Sequence, residues 1–255
     1  MQMNLQVNGK AASLDLPVNT LLVTYSGFHV GTPNLFKNLQ WDPLKDFAAV
    51  SMIATSPQVI VVRPTLPVHS LQELIDYARK NPGKLNYASS GNGSVGHVAA
   101  ELFKQVTATN MVHVPYKGAS TVIPGLMAGQ VELYIETPGG LMQQIKSGAL
   151  RAVAVTGKNR LASLADVPTV EEAGLSNYSL DSWFAVYVPM GTPAAVVTKL
   201  NAELNKVMSD PVVKQRLTDV GLQIELMTPP QLAQYTRTDL QNWRNIVTGA
   251  RISVD

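Results

Sequence analysis

At 255 residues and 45% hydrophobic composition, the chain can build one large domain or two lobes, and wholesale disorder is excluded. Twenty Lys plus Arg face eighteen Asp plus Glu, a net charge of +2 without a run of like charge, which argues against nucleic acid or an anionic membrane as partner. With no Cys, disulfides, thiolate catalysis and Cys-ligated metals are excluded, and no apolar run reaches the ~18 residues of a spanning helix.

The first residues lack a basic start followed by an apolar stretch, so no secretory signal is read there. Met3-Leu5-Val7, then Asn8-Gly9, then Ala12-Leu14-Leu16 predicts a β-hairpin with a two-residue turn. Beyond it, short β-branched runs alternate with amphipathic helical patterns, the signature of an α/β fold. Strands are expected at Leu21–Tyr25, Val59–Arg63, Leu85–Ala88, Val112–Val114, Val131–Ile135, Ala152–Thr156, Ala185–Val188 and Leu222–Leu226. Most are apolar throughout, as strands covered on both faces are.

Helix starts are marked as clearly. Ser70 and Glu73 form a capping box before Leu71, Leu74, Ile75 and Ala78. Ser94 precedes the stripe Val95, Val98, Ala99, Leu102, Phe103 and Val106. Thr192-Pro193, Asp210-Pro211 and Thr228-Pro229 each set an N-cap before a first-turn proline. The first opens a helix with Val196, Val197, Leu200, Leu204 and Val207 on one face, and Gly221 closes the second.

The most informative stretch is Tyr87-Ala-Ser-Ser-Gly-Asn-Gly-Ser-Val-Gly-His97, a strand, a Gly/Ser/Asn loop and a helix start. Gly91 and Gly93 permit positive-φ turns that aim backbone N–H groups inward, and the helix N-terminus adds partial positive charge. An anion fits there without Lys or Arg; an ordinary strand-to-helix turn would have the same sequence. The loop lacks the Lys-Ser/Thr of a phosphate cradle and the spacing of a dinucleotide fingerprint. Ser94 and His97 are helical neighbours, but no Gly-x-Ser-x-Gly elbow or orienting third group supports a nucleophile. His29, His69, His97 and His113 lack metal-ligand spacing, so no metal or cofactor is expected, and His113 reads as a partly exposed strand residue.

Thr24-Tyr-Ser-Gly27 and Glu136-Thr137-Pro-Gly-Gly140 each end a strand, where open α/β sheets place ligands, although capped turns explain them too. Val114-Pro-Tyr-Lys-Gly118 offers a Tyr and a Lys on what also reads as a surface turn. Trp183 and Phe184 read as core.

Leu44-Lys-Asp-Phe47, Ser90-Gly-Asn-Gly-Ser94, Val112-His-Val-Pro-Tyr-Lys-Gly118 and Gly129-Gln-Val-Glu132 together resemble the tripartite tricarboxylate transporter substrate-binding family, the Bug or TctC-type solute receptors. Leu150-Arg-Ala-Val-Ala-Val155, Asp166-Val-Pro-Thr-Val-Glu-Glu-Ala-Gly174, Ser182-Trp-Phe184 and Gly191-Thr-Pro-Ala194 extend the likeness, in order, from about Asn19 to Asp255. The resemblance implies a type II periplasmic binding protein, α/β with two lobes of mixed sheets flanked by helices and a ligand cleft between them. The first lobe would combine 1–62 with 186–255 and the second would be 63–185, with crossovers near Val62-Arg63 and Phe184–Val188. Carried onto this chain, Ser90, Gly91, Asn92, Gly93 and Ser94 supply an anion nest, with Ser26, Gly27, Glu136 and Thr137 as its walls. Glu136-Thr137 stands where the family commonly has Asp-Asn, which alters the pocket chemistry.

The start departs from the family, whose strand, Pro-Gly-Gly loop, helix and second strand are missing before Asn19. An atypical hairpin within residues 1–18 stands there and resembles the opening of the iron–sulfur subunits of molybdenum hydroxylases, without their cluster cysteines. The first lobe is therefore expected to be incomplete and ligand affinity impaired, with Leu5, Val7, Leu14 and Leu16 offering an apolar face to cover the gap. The implied function is a monomeric, non-catalytic periplasmic receptor for a small organic carboxylate that delivers it to the membrane permease subunits of a tripartite transporter. If the start is genuine, the location would be cytoplasmic. The rivals are an enzyme on the same fold, which would need an acid–base pair, and a cytoplasmic sensing module, which would accompany a DNA-binding helix-turn-helix.

Overall fold

The computed structural model describes residues 20–178 and 180–254 in full, and residues 2–7 and 10–15 as backbone. Strands β1 (Gln2–Val7) and β2 (Lys10–Asp15) pair antiparallel with Val7 opposite Lys10, the register that a two-residue turn imposes. The Asn8-Gly9 turn and Leu16 lie outside the described residues. Next come β3 (Leu22–Tyr25), a π-helical turn (Gly27–Gly31), α1 (Thr32–Leu35), β4 (Phe47–Ser56), β5 (Val59–Val62), α2 (Leu71–Lys80), β6 (Asn86–Ser89) and α3 (Val95–Thr107). The chain continues through β7 (Val112–Pro115), α4 (Ala119–Met127), β8 (Leu133–Glu136), α5 (Met142–Lys146), β9 (Arg151–Val155) and β10 (Ser182–Pro189). Helices α6 (Ala194–Met208), α7 (Pro211–Asp219) and α8 (Pro229–Ala250) complete it.

A mixed five-stranded sheet has the order β7-β6-β8-β5-β9, with β6 parallel to β7 and β8, and β5 antiparallel to β8 and β9. Its interior strand β5, Val59-Ile-Val-Val62, has every residue fully buried. The period of two divides these side chains between layers. Ile60 and Val62 join Leu74, Val98 and Phe103 under α2 and α3, whereas Val59 and Val61 join Val122 and Leu126 under α4. Burial on both faces explains why these strands are apolar without alternation.

The second sheet is antiparallel, β3-β10-β4. On one face Met52, Ala185 and Tyr187 pack with Trp183 and with Trp243 of α8. On the other, Val50, Val186 and Val188 meet Val197, Leu200 and Leu204 of α6. Strand β3 is an edge among the described residues, with Val23 65% exposed, and the hairpin strands pair only with each other.

Several expectations need correction. Strand β4 is absent from the expected strands because Ala48, Ala49, Ser51, Ala54 and Ser56 carry little strand propensity; its pairing with β10 along the whole length holds it. Leu222–Leu226 is not a strand: a single bridge joins Gln223 to Thr55, bounded by Gly221 and the cap at Thr228. The N-cap of α6 is Pro193 rather than Thr192, whose hydroxyl donates to the Pro189 carbonyl at 2.8 Å. On α6, Val196 and Val207 are exposed, so the buried face is narrower than the stripe suggested. The capping box of α2 is shifted by one residue, with the Glu73 carboxylate accepting from the His69 N–H.

The chain changes sheet at Pro57-Gln58, and it returns before Ser182, because β10 lies wholly in the antiparallel sheet. These sheet changes lie a few residues before the crossovers expected near Val62-Arg63 and Phe184–Val188. Both passages are tied together. The Gln58 N–H donates to Thr156 Oγ1 at 2.7 Å, Thr156 Oγ1 donates to Asp181 Oδ1 at 2.5 Å, and Gln58 Nε2 donates to Ser182 Oγ at 3.1 Å.

Candidate functional site

Strand β6 ends in the loop Ser90–Ser94, and α3 begins at Val95. The Ser94 hydroxyl caps α3 by accepting the His97 N–H. The N–H groups of Val95 and Gly96, in the first turn, have no partner within the helix, and no acidic residue occupies that turn. The helix spans 13 residues, so its aligned peptide dipoles place partial positive charge at this point.

Gly91 (φ +142°) and Gly93 (φ +74°) both adopt conformations that side-chain-bearing residues avoid. A Cβ on Gly93 would also lie 2.8 Å from Leu35 Cδ1 and 2.9 Å from Val254 Cγ1. The expected row of inward loop donors is not formed as such, because three of them are taken by the loop itself or by the strand and helix that flank it. Gly91 N–H goes to Ser89 Oγ (3.2 Å), Gly93 N–H to His97 Nδ1 (3.0 Å), and Ser94 N–H to the Gly91 carbonyl (3.1 Å). Asn92 is exposed, whereas Ser90, Gly91, Gly93 and Ser94 are half-buried. The Val114–Gly118 turn braces the loop from behind, with Tyr116 N–H donating to Ser89 O and Gly118 N–H to Ser90 O.

Two further segments reach the first turn of α3. A Cβ on Gly27 would lie 3.0 Å from Val95 Cγ2, which places the end of β3 against the helix start. Ser26, one residue earlier, is fully buried, and its hydroxyl has no hydrogen-bond partner among the described residues. The Thr24 hydroxyl, 6% exposed, is likewise without a partner. From the other side, a Cβ on Gly96 would collide with the Ile135 carbonyl and sit 3.9 Å from Glu136 Oε2. Glu136 is held by Tyr134, whose hydroxyl donates to Oε2 at 2.7 Å, and by Thr137, whose N–H and hydroxyl donate to Oε1. Burial, reinforced by the Glu136 charge, pushes the Tyr134 phenol up, while Ser90 opposes the shift, so Tyr134 stays a neutral donor.

Ser26-Gly27, Ser90–Ser94 and Glu136-Thr137, which are far apart in sequence, thus converge on one helix start. Tyr134, which the sequence reading did not single out, belongs to the same neighbourhood, as do His97 and His113, read there only as a helical neighbour of Ser94 and a strand residue. The His97 and His113 rings stack at 3.8 Å, with Tyr87 4.9 Å from His113. The register of parallel strands β6 and β7 creates that contact by setting Tyr87 opposite His113. Among the described residues no group of three or more His, Asp or Glu side chains could hold a metal, and no helix is long and apolar enough to cross a membrane.

A family model described as the tripartite tricarboxylate transporter family receptor matches residues 18–251. The UPF0065 protein in the tcbD-tcbE intergenic region of Pseudomonas sp. strain P51 is 32% identical over 93% of this chain and 70% of its own length. Among solved structures, R. palustris Rpa4515 with adipate aligns with a TM-score of 0.82 and 32% identity, over 93% of this chain and 80% of that one. MatC from Rhodopseudomonas palustris with bound malate aligns with a TM-score of 0.74 and 29% identity, over 89% and 78%. With two sheets, helices on their faces and a family match over nearly the whole length, the chain belongs to the tripartite tricarboxylate transporter receptor family, whose members are solute receptors.

Proposed function

We propose that this chain is a periplasmic receptor that captures a small organic carboxylate at the N-terminus of α3 and hands it to the permease of a tripartite transporter. The observation that carries the reading is the Ser26 hydroxyl, fully buried and without a partner among the described residues, one residue from the contact of Gly27 with Val95. A buried hydroxyl left unpaired costs about 1–3 kcal/mol, and a carboxylate oxygen spanning Ser26 and the free amides of Val95 and Gly96 relieves that cost. Adipate in Rpa4515 and malate in MatC support the carboxylate class.

In this reading the protein is a monomer of two lobes, whose borders fall at the sheet changes near 57–58 and 181–182, and the Gln58–Thr156–Asp181 network sits on the hinge between them. Ligand closes the lobes by changing backbone dihedrals there.

A thermal-shift screen of straight-chain and aromatic mono- and dicarboxylates tests the reading. An acid present at 100 times its Kd stabilises the fold by about 2.7 kcal/mol and raises the melting temperature by several degrees. If no acid moves the transition at millimolar concentration, the reading fails.

A further inference from the structure

We propose that the stacked pair His97 and His113 is the positioning device of the Ser90–Ser94 loop, each imidazole fixing one of the loop's two positive-φ glycines while it is uncharged. The consequence for ligand affinity rests on the receptor reading above; the consequence for the loop does not. His97, on the first turn of α3 and 7% exposed, accepts the Gly93 N–H at Nδ1. His113, on β7, meets Ser89 Oγ through Nε2 at 2.7 Å, and the same Ser89 oxygen accepts the Gly91 N–H and donates to the Gly91 carbonyl at 3.1 Å. Ser89 has one proton, so if it goes to Gly91 the His113 Nε2 carries its own.

The two rings lie 3.8 Å apart and within 12° of parallel, so the two clamps share one rigid stack, with Tyr87 of β6 as its third member. The charged groups facing the pair are Glu101 and Lys104 of α3, which are joined to each other at 2.7 Å; Glu101 also accepts the Tyr87 hydroxyl. Glu101 favours protonated imidazole and Lys104 opposes it. Burial outweighs both: it lowers His113, and together with His113 it holds His97 down to about 4.

Acceptance of an N–H at Nδ1 requires the Nε2–H tautomer of His97. A proton on Nδ1 would turn acceptor into donor, set it against the Gly93 N–H and release the loop, an event reserved for pH near 4. The loop therefore keeps its shape across the neutral range.

Three measurements on the full chain test this. Nitrogen-15 NMR of the wild type at pH 7 should show His97 as the Nε2–H tautomer; an Nδ1–H tautomer overturns the proposal without any variant. His97→Phe keeps a stacking ring and removes the acceptor, whereas His97→Asn keeps an acceptor at the same bond distance from Cβ. Gly93 amide exchange should speed up about tenfold or more in the first and stay within about threefold of wild type in the second. Affinity for adipate, succinate and benzoate, measured by calorimetry, should fall about tenfold in His97→Phe and recover in His97→Asn. Unchanged Gly93 exchange in His97→Phe, or altered exchange with unchanged affinity, contradicts the proposal. If the wild type binds none of these acids, the receptor reading fails, while the tautomer and the exchange rates still decide the positioning role.

Discussion

The indole N–H of Trp183 donates to the Asp239 carboxylate at 2.7 Å, tying β10 to α8 from within the core. Burial, relieved in part by that bond and reinforced by Asp181, pushes the Asp239 carboxyl up to about 6. The folded state thus binds a proton that the unfolded chain releases near 3.8, and this stability is present below 3.8 and lost as pH rises through 6. His29 acts the other way. It stacks on Tyr187 at 4.0 Å, and burial, against a smaller effect from the Pro43 carbonyl, pushes its imidazole down to about 4. Its stability is present above 6.5 and lost as pH falls toward 4.

The two effects oppose each other between about pH 4 and 6. Asp239→Asn keeps an acceptor for Trp183 and removes the titration. Its stability relative to wild type should rise as pH goes from about 4 to 6 and then level off, with a gain of about 1–3 kcal/mol at neutral pH. Urea melts at half-unit pH intervals check this; a difference independent of pH would contradict it.

Ser26→Ala separates stability from function. Removing an unpaired buried hydroxyl should leave the ligand-free protein as stable as wild type or up to about 1 kcal/mol more so. Carboxylate affinity should fall about tenfold or more, since a hydrogen bond to a charged group is worth about 1.5–3 kcal/mol. Paired thermal melts and calorimetry give both numbers, and a loss of stability with full affinity would reverse the assignment.

Thr156→Val cuts the Gln58–Thr156–Asp181 network, the hinge of the proposed two-lobed receptor, at its centre. It leaves the Gln58 N–H and one Asp181 oxygen without a partner, and should cost about 2–4 kcal/mol. Small-angle scattering with and without a bound acid should show a larger ligand-induced contraction in wild type than in the variant. Equal contraction would remove these passages from the hinge.

Gly93→Ala should be more damaging than Gly118→Ala, although both glycines have positive φ. The first Cβ would meet Leu35 and Val254, whereas nothing lies within 4 Å of the second. Strain alone predicts about 1–2 kcal/mol for Gly118→Ala, with more at Gly93 because two side chains must move. Chemical denaturation of both variants compares them directly.

What was legible in the sequence was what local rules write. The all-apolar run of Val59–Val62 and the capped stripe after Ser94 gave β5 and α3 correctly, and the family likeness assembled the candidate loops. What escaped was decided by partners distant in sequence. Strand β4 is rich in Ala and Ser and owes its extension to β10. The His97–His113 stack depends on strand register. The loss of loop donors to Ser89 Oγ and His97 Nδ1 depends on side-chain orientation, which periodicity does not encode.

A carboxylate bound on the first turn of α3 would perturb the amides there. Amide NMR during titration with adipate tests this binding site most directly. The largest saturable shifts are expected at Val95 and Gly96, with the calorimetric Kd and a matching response at Ser26 and Gly27. Saturable shifts centred instead on the cavity of about 490 Å³ beside Asp181 and Asp239, with Val95 and Gly96 unmoved, would contradict it.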